Sequence, residues 1–422
     1  MSGGCESFCT TPPAVSFIRW NVSMNIAFDL TQIPVIKTGV GIHALNLTRE
    51  LLKQTSHNPH FNLLFFYQDD DPEWKEMFES FPHCKSIPIN HKTFRNLICR
   101  FFFEQWILPH RCKKENIDYI FSFHYTMPYF TSIKRIVVFA DMTFYLFPLL
   151  HQKIKRIYFK SLIPFSLKYS HKIVTVSQST RRDILERFPN IAPEKFHVIH
   201  HGVTLTISSP NASNHLETFR LTPKKYFLYV GTLEPRKNIP GIIEAFFHAV
   251  VNNPQRQEGF KLVITGKKGW FYEKIFETVS KLGIEDEVIF TGYIDENVKN
   301  SLLSNAFGFV YPSYYEGFGL PILEAMAYGV PVITGNVSSL PEVAGDAAIL
   351  INPQKWEEIS AAMTRLLSNP DFYMELSEKS STRARLFTWQ KAAEETLALF
   401  LPTSNNPETD NPNNTDGDTC GK

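Results

Sequence analysis

Glu316 and Glu324 frame the run Glu-Gly-Phe-Gly-Leu-Pro-Ile-Leu-Glu, with one carboxylate before a glycine-rich loop and the other inside the helix that follows. Pro321 suits a first helical position, where its missing N–H costs nothing. Gly329, followed by Pro331, marks the helix end. The helix therefore opens just after Gly317 and Gly319, and its first N–H groups lack intrahelical partners. Such a terminus suits a phosphate. Carboxylates beside it suit sugar hydroxyls, whose hydrogen bonds they accept strongly. A second run, Gly231-Thr232-Leu233-Glu234-Pro235-Arg236-Lys237-Asn238, follows an apolar strand pattern and precedes a helical one, with Asn238 the expected N-cap. Arg236 and Lys237 then stand at a strand's carboxyl end. A guanidinium grips phosphate oxygens in pairs and an ammonium adds a point charge, so the two could neutralise a departing diphosphate without a metal. Taken alone, the same residues read equally as a solvated basic turn.

The elements that must hold these residues follow from the apolar pattern. Short β-branched or aromatic runs alternate with longer helical patterns, which predicts βαβ units and parallel sheets. In the first half, strands are expected over 25–31, 61–67, 117–123, 135–139 and 172–176. Helices are expected from the loop Lys37-Thr38-Gly39-Val40-Gly41 to about Lys53, and over 94–112, 153–169 and 179–188. The alternation lapses at Ser208-Ser209-Pro210-Asn211, so 206–224 is the expected linker. It restarts with strands over 226–233, 261–266, 288–292, 307–311 and 330–334, and helices over 239–251, 271–281, 295–304, 321–328, 356–367 and 389–400. The simplest packing is two Rossmann-like halves, 24–205 and 225–386, with ligands beyond the carboxyl ends of the strands. Disorder is expected over 1–23 and 402–422.

Bulk properties exclude several classes. A length of 422 residues suits two or three domains, and a hydrophobic share of 43% supplies a core. A formal charge of +1 gives no case for nucleic acid as partner. The six cysteines show no metal spacing and read as reduced thiols. No secretory signal is legible, and no apolar run nears the roughly 20 residues that span a bilayer. A cytoplasmic protein is expected.

Together the two runs resemble the retaining GT-B glycosyltransferases of family four, whose hallmark is a glutamate pair placed as Glu316 and Glu324 are. The resemblance extends from about Asn25 to Phe400. It includes Thr38-Gly39-Val40-Gly41-Ile42, the segment from Val176 to Ile184, Thr265-Gly266-Lys267-Lys268-Gly269 and Thr291-Gly292-Tyr293. It implies an α/β GT-B fold in which 24–205 binds acceptor, 225–386 binds a nucleotide sugar, and a helix over 387–401 returns to the first domain. It also implies site roles. Arg236 and Lys237 would bind the diphosphate and stabilise its departure, Glu316 would contact donor-sugar hydroxyls, and Glu324 would hold the ribose. Backbone at Gly231, Gly317, Phe318, Gly319 and Leu320 would line the phosphate and sugar, with Gly39 and Gly41 facing them. Tyr293 would border the base. The motifs are similar to those of bacterial surface-polysaccharide mannosyltransferases, so GDP-mannose is the first donor, with no cofactor or metal. A glycan or lipid-linked acceptor is implied, with peripheral contact at the cytoplasmic face of the inner membrane.

One departure stands out. Many relatives carry His-Asp where this chain has Ala140-Asp141. Asp141 is then a base, an acceptor-positioning group or a helix cap. His124 ends another first-domain strand and is either a cleft residue or a loop histidine without a role. Asp69-Asp70-Asp71 contains a metal-binding pattern but also reads as a solvated turn. The aromatic stretch 94–112 is a core helix or the border of a membrane-facing groove. Lys153, Lys155, Arg156 and Lys160 form an exposed helix face that either meets solvent or touches anionic lipid. A catalytically silent binding protein, a nucleotide-sugar epimerase and, weakest, a dehydrogenase remain alternatives to the transferase.

Overall fold

The computed structural model describes residues 23–94, 96–204, 212–253 and 259–401. The disorder expected for 1–22 and 402–422, and the linker residues 206–211, lie outside the described residues. The first sheet contains β1 (Met24–Asp29), β2 (Phe61–Gln68), β3 (Lys85–Ile89), β4 (Tyr119–Ser122), β5 (Lys134–Phe139), β6 (Lys172–Thr175) and β7 (Phe196–Val198). Their spatial order is β3-β2-β1-β4-β5-β6-β7. The second sheet contains β8 (Tyr226–Val230), β9 (Lys261–Thr265), β10 (Val288–Gly292), β11 (Gly308–Tyr311), β12 (Val332–Gly335) and β13 (Ala348–Ile351), ordered β10-β9-β8-β11-β12-β13. The ladders are parallel throughout. Helices cover both faces of such sheets, so the strands read as unbroken apolar runs. Ile26, Ala27 and Phe28 of β1 and Tyr226, Phe227, Leu228 and Tyr229 of β8 are fully buried.

In each sheet the strand order reverses beside the first strand, between β1 and β4 and between β8 and β11. In sheets of this kind ligands bind beyond the carboxyl ends at that point. The turn holding Arg236 and Lys237 follows β8 and the Glu316 loop follows β11, so the two sequence runs flank one switch point. The Trp389–Ala398 helix, capped by the Thr388 hydroxyl at the Lys391 N–H, lies on the Val40–Thr55 helix of the first domain. Gln54 Nε2 donates to the Gln390 carbonyl at 2.9 Å. Phe400 is fully buried against Phe28, Tyr119 and Phe121.

Several elements differ from expectation. The stretch 94–112 is not one helix. Leu97–Phe102 and Leu108–Lys114 are α-helical, and Phe103–Ile107 between them is a π-turn in which the Leu108 N–H bonds to the Phe103 carbonyl. Pro109 is the cause: it has no N–H for the Gln105 carbonyl, and its ring would strike that carbonyl in a regular helix. The stretch 206–224 is not all linker, because Ala212–Thr218 is helical and Leu216 and Leu221 join the core. Asn238 holds the N-cap position but does not cap. Its backbone is left-handed, and its side chain bonds instead to the Pro353 carbonyl at 2.5 Å and the Tyr314 hydroxyl at 2.9 Å. The edge strands β3, β7 and β13 and the helices Pro72–Ser80, Leu340–Ala344 and Pro370–Ala384 were not expected.

Candidate active site

The turn after β8 and the loop after β11 build one charge cluster. Lys237 Nζ lies 2.5 Å from Glu316 Oε1 and Arg236 Nη1 lies 2.9 Å from the same oxygen. Arg236 Nη2 reaches Glu234 at 2.6 Å, and Lys237 also donates to the Tyr311 hydroxyl at 2.5 Å. Burial pushes the Glu316 carboxyl up, but the charges of Arg236 and Lys237 outweigh it and hold the group at about 2. Burial opposes the Arg236 charge, and Glu316 and Glu234 more than restore it. Burial and the neighbouring Arg236 pull the Lys237 ammonium down. The result is a mostly buried cluster of two basic and two acidic side chains with one Glu316 oxygen shared at its centre.

Glu316 is positioned from both sides of its backbone. Its N–H donates to Ser338 Oγ at 2.9 Å, and Ser339 Oγ donates to the carbonyls of Glu316 and Phe318 at 2.9 and 2.7 Å. The chain then turns into the Leu320–Ala327 helix through Gly319, whose φ of +112° no side chain adopts without strain. The N–H groups of Gly317, Phe318, Gly319 and Leu320 donate to no acceptor among the described residues. Most of this segment is buried. Buried N–H groups without acceptors are costly, and at a helix start they form a seat for an anion. Further along the helix, Glu324 pairs with Lys299 at 2.8 Å. Burial pushes its carboxyl up and Lys299 only partly offsets this.

The first domain closes on this loop. A Cβ at Gly317 would lie 1.8 Å from the Ala140 carbonyl oxygen and 2.9 Å from Asp141 Cβ, so only glycine fits. Ser177 Oγ and Thr180 Oγ1 donate to the Gly317 carbonyl at 2.7 and 3.2 Å. Tyr315 donates to Asp183 at 2.7 Å and accepts from the Met142 N–H at 3.2 Å. Glu342 accepts the N–H groups of Gln178 and Ser179 at 2.8 and 3.2 Å, an anion at the start of the Gln178–Arg187 helix, and lies 2.7 Å from His200 Nε2. Phe318 is buried against His201 and Phe387.

The other sequence candidates fall as follows. Asp141 faces Gly317 and accepts from the N–H and hydroxyl of Thr143 at 2.8 and 2.7 Å, so its carboxylate is held just ahead of the Thr143–Leu146 turn, at the interface itself. His124 does not titrate near neutrality. Burial, with help from Arg100, holds it neutral at about 3, and its ring packs on Tyr125 and Phe159. Gly39 starts the Val40–Thr55 helix in the open, whereas Gly41 is packed against Lys37. The Gly231 carbonyl oxygen would lie 1.9 Å from a Cβ at Gly266, so the two strand ends touch through backbone. Tyr293 is exposed after β10. In the acidic turn, Asp71 pairs with Lys37 and caps the Pro72–Ser80 helix, while Asp69 lies 2.8 Å from His91 Nδ1. Asp69, Asp70 and His91 bring three possible ligand atoms within 4.8 Å of one another at the surface.

Four residues that were not sequence candidates carry polar contacts of note. Glu234 shares Arg236 with Glu316, and Lys299 neutralises Glu324. His151 Nε2 lies 3.1 Å from Thr143 Oγ1, which joins it to Asp141, and its ring stacks on Phe144 at 4.0 Å. Glu104 accepts from Gln32 and Thr126, both at 2.9 Å, near the end of β1, and burial pushes it up to about 7. Glu234 lies within a quoted motif and was legible as Arg236's neighbour. The other three depend on chain crossings.

Comparison with known proteins identifies the family and the fold. The family described as "Glycosyltransferase Family 4" matches residues 37–206, and "Glycosyl transferases group 1" matches residues 214–385. The O-antigen chain mannosyltransferase B of Escherichia coli is 31% identical over 270 residues, covering 63% of this chain and 70% of that protein. The O-antigen chain mannosyltransferase RfbU of Salmonella typhimurium is 29% identical over 52% of this chain and 57% of its own length. The structure of sucrose-phosphate synthase from Thermosynechococcus elongatus superposes with a TM-score of 0.68 at 21% identity, over 89% of this chain and 98% of that one, which identifies the fold. With two parallel-sheet domains in contact through the Glu316 loop, the chain belongs to glycosyltransferase family four, group 1, and is a glycosyltransferase of GT-B fold.

Proposed function

We propose that the protein transfers a hexose, mannose first, from a nucleoside diphosphate donor to a glycan or lipid-linked acceptor in cell-surface polysaccharide synthesis, with retention of anomeric configuration. The observation that carries this reading is the Arg236–Lys237–Glu316 cluster beside the unpartnered N–H groups of 317–320. The diphosphate would take its countercharge from Arg236 and Lys237 and its hydrogen bonds from the helix start. Glu316 would then exchange cation contacts for sugar hydroxyls, and the free oxygen of Glu324 would accept from the ribose. Tyr293 would border the base. As the bond between C1 and the phosphate oxygen breaks, the acceptor oxygen approaches the same face of C1 and its proton passes to the departing phosphate. Charge that develops on the leaving group meets preorganised donors in a closed cleft, and no metal is required. The mannose assignment draws on the O-antigen mannosyltransferases that the chain resembles.

Calorimetric titration with GDP, UDP and ADP tests the donor, with GDP expected to bind most tightly. A preference for UDP overturns GDP-mannose. A donor screen read by released nucleoside diphosphate, with Glu316→Ala beside the wild type, tests the reaction. Ala140 favours a second reading, a silent protein of the same fold that binds nucleotide. It predicts binding with no sugar released or transferred.

A further inference from the structure

We infer that the first domain docks on an anionic lipid bilayer through a continuous aromatic and basic face beside the acceptor side of the cleft. The face begins at the π-turn. Its extra residue directs Glu104 and Gln105 inward and leaves Trp106 and Ile107 exposed. Gln105 donates to the Met127 carbonyl at 3.0 Å and accepts from the Tyr129 N–H at 2.7 Å, which fixes the following loop. Phe130 is therefore held outward, 68% exposed, with its ring stacked on Trp106 at 5.9 Å, and Trp106 stacks on Phe102 at 4.9 Å. The adjacent Tyr129 ring lies 5.8 Å from Phe165, which stacks on Tyr169 at 6.3 Å. One aromatic path thus crosses from the π-turn to the Lys153–Tyr169 helix.

That helix carries apolar residues on two opposite sides. Phe159, Ile163 and Leu167 face the core, yet Ile154, Ile157, Phe165 and Tyr169 recur on the opposite side at turn spacing and are exposed. Lys153, Lys155 and Lys168 stand beside this ridge, exposed and in no ion pair among the described residues. Residues 142–182 hold eight Lys and Arg and no Asp or Glu, in a chain whose total charge is only +1. An apolar patch of this extent needs an occupant. An aromatic ridge with lysines along one flank matches the bilayer interface, where rings enter the headgroup boundary and basic side chains meet anionic lipid. A second copy of this chain would bring lysine against lysine. The segment between Asp141 and His151 carries exposed Leu146 and Leu149, so the docked face adjoins the acceptor side of the cleft.

This deepens the lipid-linked acceptor proposed above and rests on it for its purpose, but it is tested without turnover. The full chain is floated with vesicles of phosphatidylcholine alone and of phosphatidylcholine mixed with phosphatidylglycerol. The wild type should float with the anionic vesicles and be released by salt. The combined variant Lys153→Gln, Lys155→Gln and Lys168→Gln should bind on the order of a hundredfold more weakly, about fivefold for each charge removed. Phe130→Ser, Ile154→Ser and Phe165→Ser together should abolish flotation while the circular dichroism melt still shows one folded transition, because all three side chains are at least half exposed. A wild type that stays in the bulk, or an apolar variant that floats as well, overturns the docking face. So does a wild-type dimer in light scattering that the apolar variant lacks, without vesicle binding. Release of nucleoside diphosphate is measured on the same samples. Flotation without release removes the transferase reading and keeps the face, and release without flotation does the reverse.

Discussion

At the residue scale, Glu316 is kept charged by its neighbours rather than by water. Its folded value of about 2 lies below the ordinary 4.5, so its contribution to stability is present above about pH 4.5 and is lost as pH falls from 4.5 towards 2. The amount is on the order of 3 kcal/mol. Glu316→Gln should be less stable at neutral pH and should lack that part of the acid limb. Urea melts of both proteins across this range check it, and equal slopes for the two would remove the assignment. Arg236 carries the companion prediction. Arg236→Ala should lower kcat/KM on the order of 10²- to 10³-fold, about 3–4 kcal/mol, the loss expected when a preorganised donor to developing charge is removed. Near-normal turnover in that variant contradicts a diphosphate role. The types of these residues were legible from the sequence because a strand end followed by Arg-Lys, and a glycine loop opening a helix, have few uses. Their mutual contact was not, because it spans 79 residues of chain between Lys237 and Glu316.

At the element scale, the helix start at Leu320 is held from two domains. Ser338 and Ser339 fix the loop from its own sheet, and Ser177 and Thr180 reach the Gly317 carbonyl from the other. The glycine at 317 was legible as a permissive turn residue, but its actual constraint is steric. Gly317→Ala should push the Ala140 carbonyl away and part the domains, lowering turnover and raising the donor KM. Small-angle scattering should show an enlarged particle, with little change in the melting of the second domain. Unchanged dimensions with unchanged kinetics would mean that the contact is not needed for catalysis. The π-turn makes the complementary point. Pro109 was visible, but the direction its break gives to Glu104 and Trp106 is decided by the β1 end and the 127–130 loop that receive them.

At the scale of the whole molecule, the chain crosses between domains twice, and the second crossing seals the first domain's core. Phe400 lies beyond the whole second sheet in sequence yet fills the space between Phe28, Tyr119 and Phe121. Phe400→Ala should cost about 3–5 kcal/mol, as for other buried aromatic deletions. The loss should appear in the first domain's calorimetric transition. A loss confined to the second domain would contradict the packing. The same crossing places Phe387 under Phe318, so the element that completes one domain also supports the donor loop of the other.

The amino-acid sequence by itself determined the local chemistry: the alternation that makes two parallel sheets, the helix opened by glycines and proline, and the cations and carboxylates set at strand ends. Apolar period, capping and turn residues act over a few positions, so one sequence suffices to read them. The tertiary structure alone decided what those groups touch. It set Lys299 against Glu324, Ala140 and Asp141 against Gly317, and His151 beside Asp141, and it turned outward part of an aromatic stretch that the sequence left open between core and surface. Each of these depends on distant segments meeting at the carboxyl ends of two sheets, where burial and charge set the chemistry and no local pattern records the partner.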